Sequence, residues 1–405
     1  MPSSPARRPL TVLQVIPQLD AGGAERTAID VAAALAARGD RALVASAGGR
    51  LAAELAAVGG TLIELPVGSK NPAAMAANVA RLARLVRRER VDLLHARSRA
   101  PAWPALFAAR LSGVPFVTTF HGIYNERHAA KRTYNSVMAR GDAVIANSDY
   151  TARLIMARYG TPAVRIVVIP RGTDLARFDP RRVDAARWAA LRRAWGLEAG
   201  GRIVLNLARL TGWKGQKVLI AAAQQEPLAS RHDVVFVLAG DDQGRGEYRR
   251  ELERLAAEPG PAGRVRIVGH CEDAPAAFAL ADVAVIASTE PEAFGRTAVE
   301  AAAMGVPVVA TALGATVETV LAPPEHDAGL RTGWRVPAGD AAALAAAIDA
   351  ALALSPQDRA ALAARARAHA ERFAVERMQA ATLAVYDRLM SSREKLRETI
   401  VPSVS

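Results

Sequence analysis

Short apolar, β-branched runs alternate along this chain with longer stretches in which apolar residues recur at helical spacing. Residues 10–16 read as a strand, 24–38 as a helix, 41–45 as a strand, and 72–90 as a long helix leading into a strand at 91–95. Further strands follow at 115–119, 143–146 and 166–169. Strands separated by helices of this length build right-handed βαβ units, so the first half reads as a doubly wound parallel sheet covered on both faces. Between 170 and 201 the rhythm stops, punctuated by Pro170, Gly172 and Pro180 around a polar helix at about 184–195, which reads as a linker. A second βα series runs through 202–207, 234–238, 265–268, 283–287 and 306–310. From 339 to about 399 the pattern is helical, with breaks at Ser355-Pro356 and at Phe373. The predicted fold class is α/β: two Rossmann-like doubly wound domains, 10–180 and 181–374, with a helical C-terminus. A cleft between the carboxyl ends of two such sheets binds ligands, which makes the loops after strands the candidates for chemistry.

Composition narrows the classes. With 51% hydrophobic and 23% charged residues the chain is neither disordered nor fibrous. A lone cysteine, Cys271, excludes an intramolecular disulfide and a cysteine-based zinc site and points to a reducing compartment, the cytoplasm. The apolar run after Arg7 and Arg8 is cut by Gln18 and Asp20, too short for an export signal, and no uninterrupted apolar stretch approaches the roughly 20 residues of a membrane helix. A soluble or peripheral protein is expected. The net charge of +12 is one-sided: residues 1–170 hold 22 Lys and Arg against 11 Asp and Glu, the remainder 30 against 29. Such a balance suits an anionic partner, whether nucleic acid, a membrane surface or a phosphorylated substrate; an arginine-rich composition is the alternative. Only 5% aromatic residues and no zinc-finger or RNA-binding signature count against nucleic acid.

Two loops of the second domain carry candidate chemistry. After the strand at 202–207, Arg209 and Lys214 place two cations around a glycine-containing turn, suited to neutralising a diphosphate, unless both are merely solvated. After the strand at 283–287, Glu292 lies in a loop and Glu300 in the second turn of a helix beginning near Gly295; eight residues at helical rise separate them by about 12 Å. Between them the amides of Phe294, Gly295 and Arg296 face the start of the helix, an anion site that needs no metal. Glutamates near a helix N-terminus are also common without any ligand.

Glu292 through Glu300, continuing to Thr311, resembles the Glu-x7-Glu motif and following strand of the retaining glycosyltransferases of family 4, which have the GT-B fold. Arg209 with Lys214 resembles that family's basic loop, Val268-Gly269-His270 its nucleotide-base segment, and Gly22-Gly23-Ala24-Glu25-Arg26 its first glycine-rich loop. The resemblance, in order from about residue 11 to 319, implies a helix at about 375–398 packing back on the first domain, an acceptor-binding first domain and a donor-binding second one. It implies a nucleotide-sugar donor such as a UDP- or GDP-sugar, and roles residue by residue. Glu292 would bind donor-sugar hydroxyls, Glu300 the ribose, and Arg209 and Lys214 the diphosphate. Gly22, Gly23, Gly269, His270 and Ala293 would border the donor, and His121 the reactive centre. Asp20, Arg97, Arg99 and Tyr124 would lie on the acceptor side. Ala293 stands where the family often has glycine, and Arg296 where a small apolar residue is usual. No Asp-x-Asp triplet occurs, so neither metal nor cofactor is expected.

The implied reaction is front-face displacement without a dedicated protein base. Glu292 and Glu300 are too far apart for the carboxyl pair of a retaining glycosidase, which needs about 5 Å. Arg81, Arg84, Arg87, Arg88 and Arg90 on one helix, with Arg127, Lys131 and Arg132 after His121, suit an anionic lipid surface. The segments 95–101 and 121–148 look similar to bacterial glycosyltransferases of lipopolysaccharide core assembly, implying an anionic glycan or lipid-linked acceptor at the inner membrane face. A nucleotide-sugar epimerase and a non-catalytic sugar-nucleotide sensor are the alternatives.

Overall fold

The computed structural model describes residues 8–400 apart from Ala21, Arg127, Ala199 and Pro259. Arg127, one of the expected basic positions, and Arg7 of the N-terminal segment thus lie outside the described residues. The chain forms two compact units, one comprising Met1–Gly172 with Val375–Ser405 and the other Thr173–Ala374. The division comes earlier than the expected residue 180 because Thr173 already belongs to the second unit. Its amide donates to the Phe373 carbonyl at 2.8 Å, and Phe178 is buried in that unit's core.

In the first unit seven parallel strands, β1 (Thr11–Val15), β2 (Arg41–Ser46), β3 (Thr61–Glu64), β4 (Leu93–Ala96), β5 (Phe116–Phe120), β6 (Ala143–Ala146) and β7 (Ile166–Val168), lie in the order β3-β2-β1-β4-β5-β6-β7. The central strands are buried along their whole length, as a sheet covered on both faces requires. The edge strand β3 is half-exposed, and its short polar sequence Thr61-Leu62-Ile63-Glu64 hid it from periodicity. The helix Pro72–Arg88 starts where Asn71 accepts from the amides of Ala73 and Ala74 at 2.9 and 3.2 Å. It buries Leu82, Leu85 and Val86 and exposes Arg81, Arg84, Arg87 and Arg88. The helix Val375–Ile400 contributes Met378, Val385 and Tyr386 to the core on the β1 side.

The second unit's six parallel strands are β8 (Arg202–Leu207), β9 (Val234–Ala239), β10 (Val265–Gly269), β11 (Val283–Ile286), β12 (Val308–Thr311) and β13 (Gly333–Val336), in the order β10-β9-β8-β11-β12-β13. The polar stretch expected as a linker is instead part of this unit: its helix, Ala185–Ala194, is tied by Arg187 to Asp273 at 2.7 Å, and Trp195 is buried in the core. Each sheet changes direction of strand order once, between β1 and β4 and between β8 and β11. At those points neighbouring helices leave on opposite faces, so the loops after the two strands stand side by side. Among the described residues no helix is long and apolar enough to cross a membrane.

Candidate active site

The switch point of the second sheet brings together the loops that follow β8 and β11. Lys214 Nζ lies 2.5 Å from Glu292 Oε1, although the residues are far apart in sequence, and both side chains are largely covered. Ser288 Oγ donates to the same carboxylate oxygen at 2.6 Å, and the ammonium also sits 4.2 Å from the centroid of the Trp213 ring. Backbone shape makes this pairing possible. Gly215, which follows Lys214, has φ +70°, and a Cβ there would fall 1.8 Å from the Ala287 carbonyl at the end of β11. Only a residue without a side chain lets the two loops approach so closely.

Glu292 is held by its own main chain, whose carbonyl accepts from Ala315 N at 2.8 Å. Three residues on, the left-handed position that launches the helix Arg296–Ala303 is taken by Gly295, with φ +83°. Ala293, where the family often has glycine, is not among the positive-φ residues, so the alanine is accommodated. One helical turn further, Glu300 is buried, and Arg296 reaches it at 3.0 Å, an i,i+4 pair. Arg296 is thus occupied within the helix rather than simply facing solvent. Burial pushes the Glu300 carboxyl above the ordinary glutamate value, against the charges of Arg296 and of Arg177. Arg209 does not join the Lys214–Glu292 pair; it is exposed and reaches Gln243 at 3.4 Å. Gly269 is a turn at φ +75° whose carbonyl accepts from Gly240 N at 2.7 Å, and His270 beyond it is exposed.

The first unit sorts its expected site residues into separate groups. His121 and Arg97 line one pocket, together with Arg171 and Asn147. Burial and the charges of Arg171 and Arg97 hold the His121 imidazole well below its usual pKa, so it is neutral at neutral pH. Arg99 and Tyr124 form another group: the guanidinium stacks 4.3 Å from the ring centroid and donates to Asn135 Oδ1 at 2.8 Å. Asp20 stands apart and accepts from Arg50 N at 3.2 Å. A Cβ on Gly22 would meet the Glu25 carboxylate and one on Gly23 the Arg171 guanidinium, so the glycine-rich loop packs tightly at both positions. Sequence reasoning missed Ser288, Asn147, Arg171 and Arg177. The first three are polar residues at or just beyond the carboxyl ends of β11, β6 and β7, a positional signal that a strand-by-strand reading can use.

Comparisons with known proteins agree with this architecture. Residues 21–177 match Glycosyltransferase Family 4 and residues 189–369 match Glycosyl transferases group 1. The chain is 33% identical over 310 residues to a D-inositol 3-phosphate glycosyltransferase from Xylanimonas cellulosilytica, covering 73% of this chain and 71% of that one. Other relatives of that name, from two Salinispora species, are matched over only about half of their length. A solved glycosyltransferase from Rickettsia africae superposes with a TM-score of 0.85 at 32% identity, covering 95% of this chain and 99% of that chain. Anabaena HepE, solved in complex with UDP and glucose, gives a TM-score of 0.77 at 26% identity over 93% of this chain and 99% of that chain. With both halves matched in order and two parallel sheets of the expected topology, the chain belongs to the family 4 glycosyltransferases of the GT-B fold.

Proposed function

We propose that this protein transfers a sugar with retention of configuration from a UDP-sugar, UDP-glucose being the first to test, to an anionic glycan or lipid-linked acceptor, without a metal. The observation that carries the reading is the Lys214–Glu292 pair, set directly before a helix N-terminus and followed by buried Glu300. Glu292 and Glu300 are both acceptors for hydroxyls, one for the sugar and one for the ribose. Lys214 and Arg209, with the amides of Phe294, Gly295 and Arg296, supply positive potential to the diphosphate between them. Gly269 and His270 border the base. UDP and UDP-glucose in the HepE complexes support the choice of donor.

In the reaction the acceptor hydroxyl attacks the anomeric carbon on the face from which UDP leaves. The bond to the β-phosphate oxygen breaks as the new glycosidic bond forms, and the departing oxygen takes the hydroxyl proton. The chain contributes position and fixed charge rather than a base, and neutral His121 offers a hydrogen bond without adding charge. Acceptor recognition falls to the first unit, through Arg97, Arg99, Tyr124 and Asp20. The anionic character rests on that unit's basic excess and on relatives whose name includes a phosphorylated inositol acceptor. A cell-envelope glycan, lipopolysaccharide core included, at the cytoplasmic face of the membrane meets this description.

The test is turnover of UDP-glucose in EDTA with phosphorylated and lipid-linked glycans, reading the anomeric configuration of the product by NMR. An α-linked product formed in EDTA is expected. A β-linked product, or activity restored only by Mg²⁺ or Mn²⁺, overturns the mechanism. Nucleotide release that no acceptor accelerates points instead to an epimerase, and donor binding without any release to a sensor.

A further inference from the structure

The pocket around His121 contains more unmatched hydrogen-bonding capacity than its own residues use. Arg97 is 2% exposed, yet its partners are neutral: Nε and Nη2 both donate to Gln14 Oε1, at 2.8 and 2.6 Å. Tyr386 also hydrogen-bonds it, and the charge of Asp30 favours its protonated form. Asn147 is 1% exposed, and both its amide nitrogen and its amide oxygen are covered without a hydrogen-bond partner. Both ring nitrogens of His121 are in the same state. A second guanidinium, that of Arg171, is brought to the wall from β7, donates to the His121 carbonyl, and rests where Gly23 has no side chain. Burying a guanidinium and an amide in this condition is costly unless something else satisfies them.

The pocket is part-open, and its cavity volume of about 10 Å³ admits one oxygen-sized group rather than a sugar ring. The guanidinium groups of Arg97 and Arg171, the Asn147 amide and the His121 imidazole all line it, and a guanidinium carries donors with no acceptor. Met378 and Thr382 of the C-terminal helix complete the wall.

We propose that this pocket is a subsite for a single oxyanion group, a phosphate or a carboxylate, bound by Arg97, Asn147, His121 and Arg171. The proposal rests on the reading of the first unit as the acceptor side, and it assigns the acceptor's charge to one buried position instead of to the basic surface at large. A guanidinium can take two oxygens of such a group at once, and the asparagine amide and a neutral imidazole each add a donor.

The experiment titrates the full chain with inorganic phosphate and with acetate by calorimetry at constant ionic strength. It compares the wild type with Arg97→Gln, Asn147→Asp and Arg140→Gln; Arg140 is an exposed arginine stacked on Trp103, away from the pocket. Removing a buried charged partner, or adding a like charge to the ligand's, should weaken anion binding about thirtyfold or more, while Arg140→Gln and the UDP affinity of every variant stay unchanged. If Arg97→Gln fails to fold, as near-UV circular dichroism reports, Asn147→Asp decides alone. Anion affinity in folded Asn147→Asp equal to that of the wild type overturns the subsite, as does absence of binding to the wild type at tens of millimolar phosphate and acetate. Glycerol 3-phosphate distinguishes the sources: tighter binding than inorganic phosphate identifies a group carried by the acceptor, weaker binding a free ion, and either supports the subsite. Anion binding that persists in the wild type and is lost in Asn147→Asp, without any transfer from UDP-glucose, refutes the reaction and leaves the subsite standing. Transfer with a pocket indifferent to anions does the reverse.

Discussion

Lys214 pairs with Glu292 in this structure, and in the proposed transfer it also faces the donor's diphosphate. At 2.5 Å from the carboxylate and over the Trp213 ring, its ammonium is already positioned and largely dehydrated, so it can respond to growing charge on a leaving group with little reorganisation. Lys214→Ala should lower kcat/KM for the donor by about 10²-fold or more, and should also loosen Glu292, which loses a partner. Steady-state kinetics with UDP-glucose check this; activity within a factor of two of the wild type sinks the assignment. Glu300 carries a different signature. Its carboxyl binds its proton more tightly in the folded chain than when unfolded, because burial penalises the charged form. The folded state therefore holds more protons, and this group's contribution to stability declines as pH rises from the ordinary glutamate value through the raised one. Glu300→Gln should accordingly raise the melting temperature of the ligand-free protein at pH 7, with the difference shrinking toward acid pH, while nucleotide affinity falls. A melting curve at pH 7 no higher than that of the wild type would refute the burial argument.

At the level of elements, the site is made by two βα loops that only a tight turn can bring into register. Gly215 sits at φ +70° with the Ala287 carbonyl where its Cβ would be, whereas Gly212, at the start of the same turn, has open space around it. Gly215→Ala should destabilise the protein by about 2 kcal/mol or more and separate Lys214 from Glu292, and Gly212→Ala should be close to neutral. Thermal melts of the two variants provide the comparison; equal melting temperatures would show that the approach of the two loops is not constrained by this backbone. The strands themselves were legible because β-branched runs such as Val283-Ala284-Val285-Ile286 need no partner to be recognised. The edge strands β3 and β13 were not, since their sequences, Thr61–Glu64 and Gly333–Val336, are short and only partly buried. Their strand character comes from a neighbour's hydrogen bonds rather than from their own pattern.

For the whole molecule, charge is the property with a consequence of its own. The excess of 22 basic over 11 acidic residues in positions 1–170 includes a helix, Pro72–Arg88, whose exposed face carries Arg81, Arg84 and Arg87, while Arg88 is paired with Glu89. If the acceptor is membrane-held, the protein should bind vesicles containing anionic lipid at low salt and less so at physiological salt, where the screening length is about 8 Å. At about 1 kcal/mol per cation near such a surface, Arg81→Glu, Arg84→Glu and Arg87→Glu together should weaken vesicle binding about a hundredfold or more and leave UDP affinity unchanged. Vesicle sedimentation checks both; equal binding to neutral and anionic vesicles, or none to either, would make the basic excess a matter of composition and favour a soluble acceptor.

The sequence by itself determined the alternation of strands and helices, the tandem of two doubly wound units, and the loops in which chemistry could reside. These are local properties, written in periods of two and 3.6 residues and in glycines and prolines at turns. Glu292, Glu300, Arg209 and Lys214 could be named because each follows a recognisable strand. Tertiary structure decided which of them meet: Lys214 pairs with Glu292 and Arg296 with Glu300, while Arg209 turns to Gln243. It also decided that Arg97, Asn147, His121 and Arg171 line one pocket although they come from the ends of four different strands. Strand order in a parallel sheet is set by long crossover connections, and no local pattern encodes which strand ends become neighbours or which polar side chains are buried there without partners.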